Sequence, residues 1–467
     1  MAERDQAVED LERLLSTNDE VALATLATLA ASPRAVLRLD ATARQARWWL
    51  SNDHRPVIRR RDPAPVATAL AGTHGDGRIR EQAVQHIIAH PTPELIPFLV
   101  VRTGDWVREV RDRARAGLAV LLHADPARFL PAALGIGLLI EQRLRGSFVR
   151  NQLLAAASDP RAPLASLLES PDREVRAFAF RAGAWKLDQK VSVALTAPDL
   201  RLRSAAAEAA ARDCVWTGRV EVLRRLAASP RPEVRVQALT GLARLGRDAD
   251  VVPHLDDTSS LIRALARTSA ARLGVDVPEH YRSRVTPGAI DGFAEVGGDG
   301  RHLPALLAHP SATIRARAVR ALRLLDQVPD DRVLPLLRDP SSAVVREATA
   351  AVRSVPVTLP WELLADERPA VRLAGYRLAR RLGPVAELRA ALTAVTGPDV
   401  RLARRARADA TRMSRSLVSV PWRRRTITPL EVDPADAPAL RALLERASGS
   451  ASAELDEQTV HLLRAHL

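Results

Sequence analysis

The stretch LLAHPSATIRARA (Leu306 to Ala318) returns thirty residues later as LLRDPSSAVVREA (Leu336 to Ala348). Self-similarity at such a period constrains a chain strongly, because each copy must fold as the same supersecondary unit. The shared kernel is an aliphatic residue, then Arg, then Ala four positions after the first. It occurs at Ile79-Arg80 with Ala83, Val110-Arg111 with Ala114, Val175-Arg176 with Ala179, and Leu202-Arg203 with Ala206. It continues at Val234-Arg235 with Ala238, Ile262-Arg263 with Ala266, and Ile314-Arg315 with Ala318. Weaker copies stand at Val149-Arg150 with Leu153, Val344-Val345 with Ala348, Val371-Arg372 with Gly375, and Val400-Arg401 with Arg404. The long interval between Ile262 and Ile314 is expected to hide a degenerate copy around GAIDGFAEVG.

Positions i and i+4 share one face of a helix, so each kernel is a narrow apolar stripe whose small Ala lets a neighbouring helix come close. A shorter apolar segment precedes each kernel, as in VLRRLAASP, HLPALLAHP and VLPLLRDP, and ends in Pro beside Asp or Ser. That is a helix stop followed by an N-cap and a new start. The predicted unit is helix, tight turn, helix. One such pair cannot bury its own apolar face, whereas stacked copies share a core. With only 3% aromatic residues, that core must be Leu, Val, Ile and Ala.

These features resemble the HEAT-repeat family, in the short form also called HEAT-like or phycobilisome-lyase-type repeats. The resemblance implies an all-α, right-handed α-α superhelix (a HEAT/ARM-like solenoid) of about ten to twelve helix pairs. It also implies a structural kernel arginine that pairs with acidic or carbonyl groups of the adjacent repeat; Asp172, Asp199, Asp256 and Asp339 are the expected partners. Expected regions are an N-terminal helical cap (1–60), the repeat array (61–410), and a basic segment with a C-terminal helical extension (411–467). Because the kernel arginine recurs with the repeat, it is expected to be scaffold. Its replacement by Val345 marks a junction where the usual polar contact is missing or made differently.

Motifs for chemistry are weak. His86 and His90 have zinc-ligand spacing, but Ile87 stands where a zinc protease carries Glu. His302 and His309 are expected seven apart on one helix, again without ligand partners. The His-Glu pairs of a helical-repeat iron hydroxylase do not occur; Glu279-His280 is reversed. GTHGDG (Gly72 to Gly77) reads as a turn. The single Cys214 excludes an intrachain disulfide framework and fits a reducing compartment. The N-terminus lacks the basic region of a signal peptide, and FLPAALGIGLLI is too short to span a bilayer, so a cytoplasmic protein is expected. No metal or cofactor is expected.

Net charge is +14, and all basic residues but Lys186 and Lys190 are arginine. Nine arginines and one aspartate fall between Arg401 and Arg425. Leu402, Ala406, Met413 and Leu417 make an apolar stripe there, which leaves Arg404, Arg405, Arg407, Arg412 and Arg415 for partner contact. Trp422 and Arg423, Arg424 and Arg425 follow in a non-helical stretch. Trp106, with Asp105 and Arg108 beside it, is the other candidate, joined by Trp185, Trp216 and Trp48-Trp49. The expected function is a non-enzymatic scaffold or adaptor holding a protein or peptide along its groove. The alternative is a nucleic-acid-binding protein in which the Arg-rich segment grips phosphates, with glycosylase-like repair chemistry at Trp106 and Asp105 as its enzymatic form.

Overall fold

The computed structural model describes residues 2–16, 18–46, 65–141, 146–417, 430–449 and 455–467. Among them every regular element is helical, and the fold is all-α. Contacts divide the chain into two compact units, Met1–Gly241 and Leu242–Leu467. In the first, the helices Ala2–Leu14, Asp19–Ala30 and Pro33–Ala46 precede the repeats and bury Leu11, Leu26, Leu29, Val36 and Leu39. In both units the repeats are helix pairs packed on their sequence neighbours.

Each second helix places its kernel residue three positions after its cap, and every one of them but the half-buried Ile79 is buried. By that register the kernels start at Ile79, Val110, Val149, Val175, Leu202 and Val234 in the first unit. In the second they start at Ile262, Ala289, Ile314, Val344, Val371 and Leu402. The degenerate copy is present: Thr286 caps the helix Pro287–Val296, and Ala289, Ile290 and Phe293 are buried in the kernel positions. Here Gly288 replaces bulk. A Cβ on it would fall onto the Asp256 carbonyl oxygen, so the helix approaches the previous turn backbone to backbone.

The last register differs from the sequence expectation. Aligned on their caps, Asp199 and Asp399, Val400 corresponds to Leu200 and Leu402 to Leu202. Val400 is 68% exposed while Leu402, Ala403 and Ala406 are buried, so the kernel is Leu402-Ala403 with Ala406. Two apolar residues two positions apart look alike in sequence; only one of them lies on the packed side of a helix.

Several first segments are not α-helices. HLPALLAHP forms the 3₁₀ segment Leu303–Ala308, and VLPLLRDP forms the 3₁₀ segment Leu334–Arg338, which follows the single α-turn Asp330–Val333. Pro at the start of so short a run leaves too few i→i+4 bonds to hold an α-helix, and three-residue hydrogen bonding takes over. His302 and His309 therefore flank a 3₁₀ segment instead of sharing a helix.

The kernel arginines follow a common plan. The Nη1 group reaches back to the turn carbonyls six and five residues earlier: His74 and Gly75 for Arg80, Ala197 and Pro198 for Arg203, His309 and Pro310 for Arg315. The rest of the guanidinium reaches forward to an acid of the next repeat. Arg80 forks onto Asp105, Arg176 meets Asp199, Arg203 meets Glu233, Arg263 meets Glu295 and Arg315 forks onto Asp339. Such charge-assisted bonds are the stronger kind, and they tie the turn within a repeat to the stack between repeats.

Two of the four expected acids are thus partners, Asp199 and Asp339. The others serve elsewhere. Asp172 caps its own helix through the Glu174 amide, and Asp256 binds His280 and Arg284. Asp339 also accepts the Ser341 amide. Burial alone would raise its carboxyl pKa, but Arg315 and that amide hold it below the usual value.

At Val345, which is buried, the contact is made in the reverse direction. Arg368 of the following repeat forks onto its own Asp366 and donates back to the carbonyls of Arg338, at 2.9 Å, and Asp339, at 3.4 Å. Arg161 does the same from Asp159 to His123 and Ala124.

Candidate functional site

The Arg-rich segment begins as one amphipathic helix, Val400–Ser416, packed on Pro384–Val395 and on Glu457–Ala465. Leu402, Ala406, Ala410 and Met413 are buried and Leu417 is half-buried, as the apolar stripe requires. Its arginines do not form one free face. Arg412 donates to Glu387 at 2.7 Å. Arg380 and Arg405 approach Asp409 at 3.6 and 3.9 Å, and Asp409 also accepts the Tyr376 hydroxyl at 2.9 Å. Burial, together with that carboxylate, pushes the Tyr376 phenol well above its usual range.

Arg407 is half-buried, with its Nε unpaired. Arg401, Arg404 and Arg415 are exposed and form no ion pair among the described residues. Trp422, Arg423, Arg424 and Arg425 lie outside the described residues, as do Trp48 and Trp49.

An open groove of about 680 Å³ runs between the start of this helix and the start of Pro369–Ala379 in the preceding repeat. Pro369, Ala370, Leu373, Pro398 and Val400 supply apolar surface, Arg372, Arg401 and Arg405 supply positive charge, and Asp399 is the one acid in the lining. Arg372 is the kernel arginine of that repeat. Its Nη1 holds the Asp366 and Glu367 carbonyls, but its forward acid, Asp399, stands 3.6 Å away and caps the Arg401 and Leu402 amides. Unlike Arg176, Arg203 and Arg315, Arg372 leaves its Nε hydrogen without an acceptor.

Next to the groove, Arg377 is half-buried and makes no ion pair among the described residues. Burial lowers its pKa, and the like charges of Arg405 and Arg346 lower it further. Sequence reasoning missed Arg372, Leu373, Arg377 and Val400 as surface groups. The one available signal was the shared Pro-Asp cap of PDLRLR and PDVRLA, which places Val400 before the kernel.

The other candidates are separated. Trp106 is 65% exposed at the N-terminal end of its second helix, with the Arg80 guanidinium 5.4 Å from its ring centroid. Arg108 is exposed and bound to Asp112 at 3.3 Å. Trp185 lies beyond the C-terminal end of Arg173–Ala182, stacked on Phe180 across the bare Gly183, and donates to the Phe180 carbonyl at 2.8 Å. Trp216 is 91% exposed in the last turn of Leu200–Thr217 and borders a cleft of about 550 Å³ with Leu187, Arg212 and Arg219. The aromatic residues therefore sit at opposite ends of their second helices and do not gather.

Asp105 is fully buried. It accepts from Arg80, Arg102 and the Val107 amide, and these donors outweigh burial to hold its pKa low. Arg102 also pairs with Asp40 of the preceding helices. A carboxylate so enclosed is a structural anchor.

The remaining candidate groups also have structural surroundings. His86 and His90 face each other at 4.8 Å, and no cluster of three or more His, Cys, Asp or Glu suited to a metal occurs among the described residues. Burial raises the Cys214 thiol pKa. No single described helix is long and apolar enough to cross a membrane.

No protein-family model and no curated protein matches the sequence. Solved structures do. One is a chain from the structure titled "Kap95p Binding Induces the Switch Loops of RanGDP to adopt the GTP-bound Conformation", 14% identical over 99% of this chain with a TM-score of 0.29. This chain spans 66% of that one. Another is an engineered protein, 16% identical over 99% of this chain and 98% of that one, with a TM-score of 0.14. Neither likeness bears on what this chain binds.

Proposed function

We propose that this helical-repeat protein is a non-enzymatic scaffold that holds a protein partner, in a reducing cytoplasmic compartment. The observation that carries the reading is the open groove at Val400, where exposed aliphatic surface lies beside Arg401, without an acid among the described residues, and beside the loosely paired Arg372 and Arg405. The kernel arginines are consumed in holding the stack, so the charge left for recognition sits at such grooves. An apolar centre with a charged rim is the composition of a protein-binding patch.

The test is co-purification of the tagged full-length chain, followed by reconstitution of any recovered protein from purified components on a sizing column. A stable co-migrating complex is expected. If no recovered protein co-migrates with the purified chain, the scaffold reading is wrong.

Exposed, unpaired Arg401 and Arg404 favour nucleic acid as a second reading. Phosphate contacts strengthen as salt falls, so this reading requires duplex or single-stranded DNA or RNA to bind at about 50 mM salt and to release steeply as salt rises. No binding at that salt removes it.

A further inference from the structure

The groove between the second helices of the last two repeats has a composition that selects its occupant. Resting on the scaffold reading above, we propose that it binds an acidic peptide segment of the partner through one aliphatic anchor flanked by carboxylates. The anchor lies against Leu373, Ala370 and Val400, and the carboxylates meet Arg401 and Arg405.

Three observations converge on this occupant. First, Val400 is 68% exposed although its neighbour Leu402 is buried, so aliphatic surface is presented outward at the mouth of the groove. Second, the positive charge around it lacks full compensation: Arg401 has no acid, Arg405 has one only at 3.9 Å, and Arg372 has one only at 3.6 Å. Third, the charge continues across the neighbouring second helices to Arg377 and Arg346. Among the described residues Arg377 has no counter-ion there; burial, and after it repulsion from Arg405 and Arg346, disfavours its charged form. An incoming carboxylate relieves that repulsion, whereas a cationic or neutral segment does not. Among the described residues the groove is lined by no aromatic side chain on which a base would stack, and its apolar centre has no use in a phosphate track. These features favour peptide over nucleic acid.

The test is fluorescence anisotropy with the full-length chain at low salt, using a labelled synthetic peptide of about twelve residues with Asp and Glu flanking one central Leu. The comparison probes are the same peptide with acids changed to amides, the same peptide with Leu changed to Ala, and a single-stranded DNA of about twenty nucleotides. Saturable binding of the acidic Leu peptide is expected, weakened about tenfold or more by either peptide change. Val400→Asp, and Arg401→Glu with Arg405→Glu, should each weaken it about tenfold, while Arg173→Glu, an exposed change in the first unit, leaves it unchanged. Unchanged thermal melting confirms that these exposed positions leave the fold intact.

Failure of the acidic peptide to bind overturns the proposal. So does equal binding of its amide form, or indifference to Val400→Asp. DNA binding that is tighter than the peptide and lost in the Arg401/Arg405 variant overturns it in favour of phosphate recognition. If the peptide fails while a protein partner still co-migrates with that variant, the groove assignment falls and the scaffold reading stands.

Discussion

Replacing Asp105 with Ala tests how the repeats are held together. The carboxylate is 0% exposed and lies between Arg80, 1% exposed, and Arg102, 2% exposed, with bonds of 2.9 to 3.0 Å. Removing it leaves Arg80 with only the His74 and Gly75 carbonyls, while Arg102 keeps Asp40. Breaking a buried pair from one side costs about 3–5 kcal/mol, because an uncompensated charge remains in a low-dielectric site.

The first unit spans Met1–Gly241, and a domain of that size loses about 2–4 °C of melting temperature per kcal/mol. Asp105→Ala should therefore lower the transition of that unit by about 6–20 °C in differential scanning calorimetry. Arg80→Met combined with Asp105→Leu removes both charges and should recover at least half of the loss, since a packed apolar pair often replaces a buried ion pair at little cost.

The same residue sets an acid limit. Its folded pKa lies below the unfolded value of about 3.9, so its contribution is complete above that pH. The contribution drains away as pH falls through the lower folded value, and the gap between wild type and variant should close there. A fall of less than about 2 °C at neutral pH would refute the account of Asp105 as the clamp between repeats.

Arg315→Ala removes both the fork to Asp339 and the bonds to the His309 and Pro310 carbonyls, and should cost about 2–4 kcal/mol by urea denaturation. Arg346→Ala, one position beyond the arginine-less kernel and paired only with its neighbour Glu347, should stay within about 0.5 kcal/mol of wild type in the same assay. Gly288→Ala forces a Cβ onto the Asp256 carbonyl and should cost about 1–3 kcal/mol, read as an earlier thermal transition of the second unit. Trp216→Ala, at a 91% exposed position, should leave melting within about 0.5 kcal/mol of wild type, because little packed surface is lost.

Much of the fold was legible in the sequence for a geometric reason. Burial at i and i+4 is a local property of a helix, so Ile314 with Ala318, or Val234 with Ala238, disclosed the inward face without knowledge of any neighbour. The repetition of Arg once per unit marked it as scaffold, and its guanidinium does hold the turn behind and the acid ahead. Even the substitution at Val345 disclosed that something had to change at that junction.

Tertiary structure decided the matters that depend on distance between units. Asp172 and Asp199 have the same sequence setting, yet only Asp199 receives an arginine from the preceding repeat; the difference lies in how two helix pairs stack, which no local pattern encodes. The donor that replaces the missing arginine at Val345 comes from Arg368, in the following repeat. Val400 and Leu402 are both aliphatic, and their packing exposes one and buries the other. The arginines of the charge-dense segment cover the helix faces that the apolar stripe leaves. Glu387, from the preceding helix, and the segment's own Asp409 neutralise part of that charge and leave Arg401, beside the groove at Val400, without an acid among the described residues.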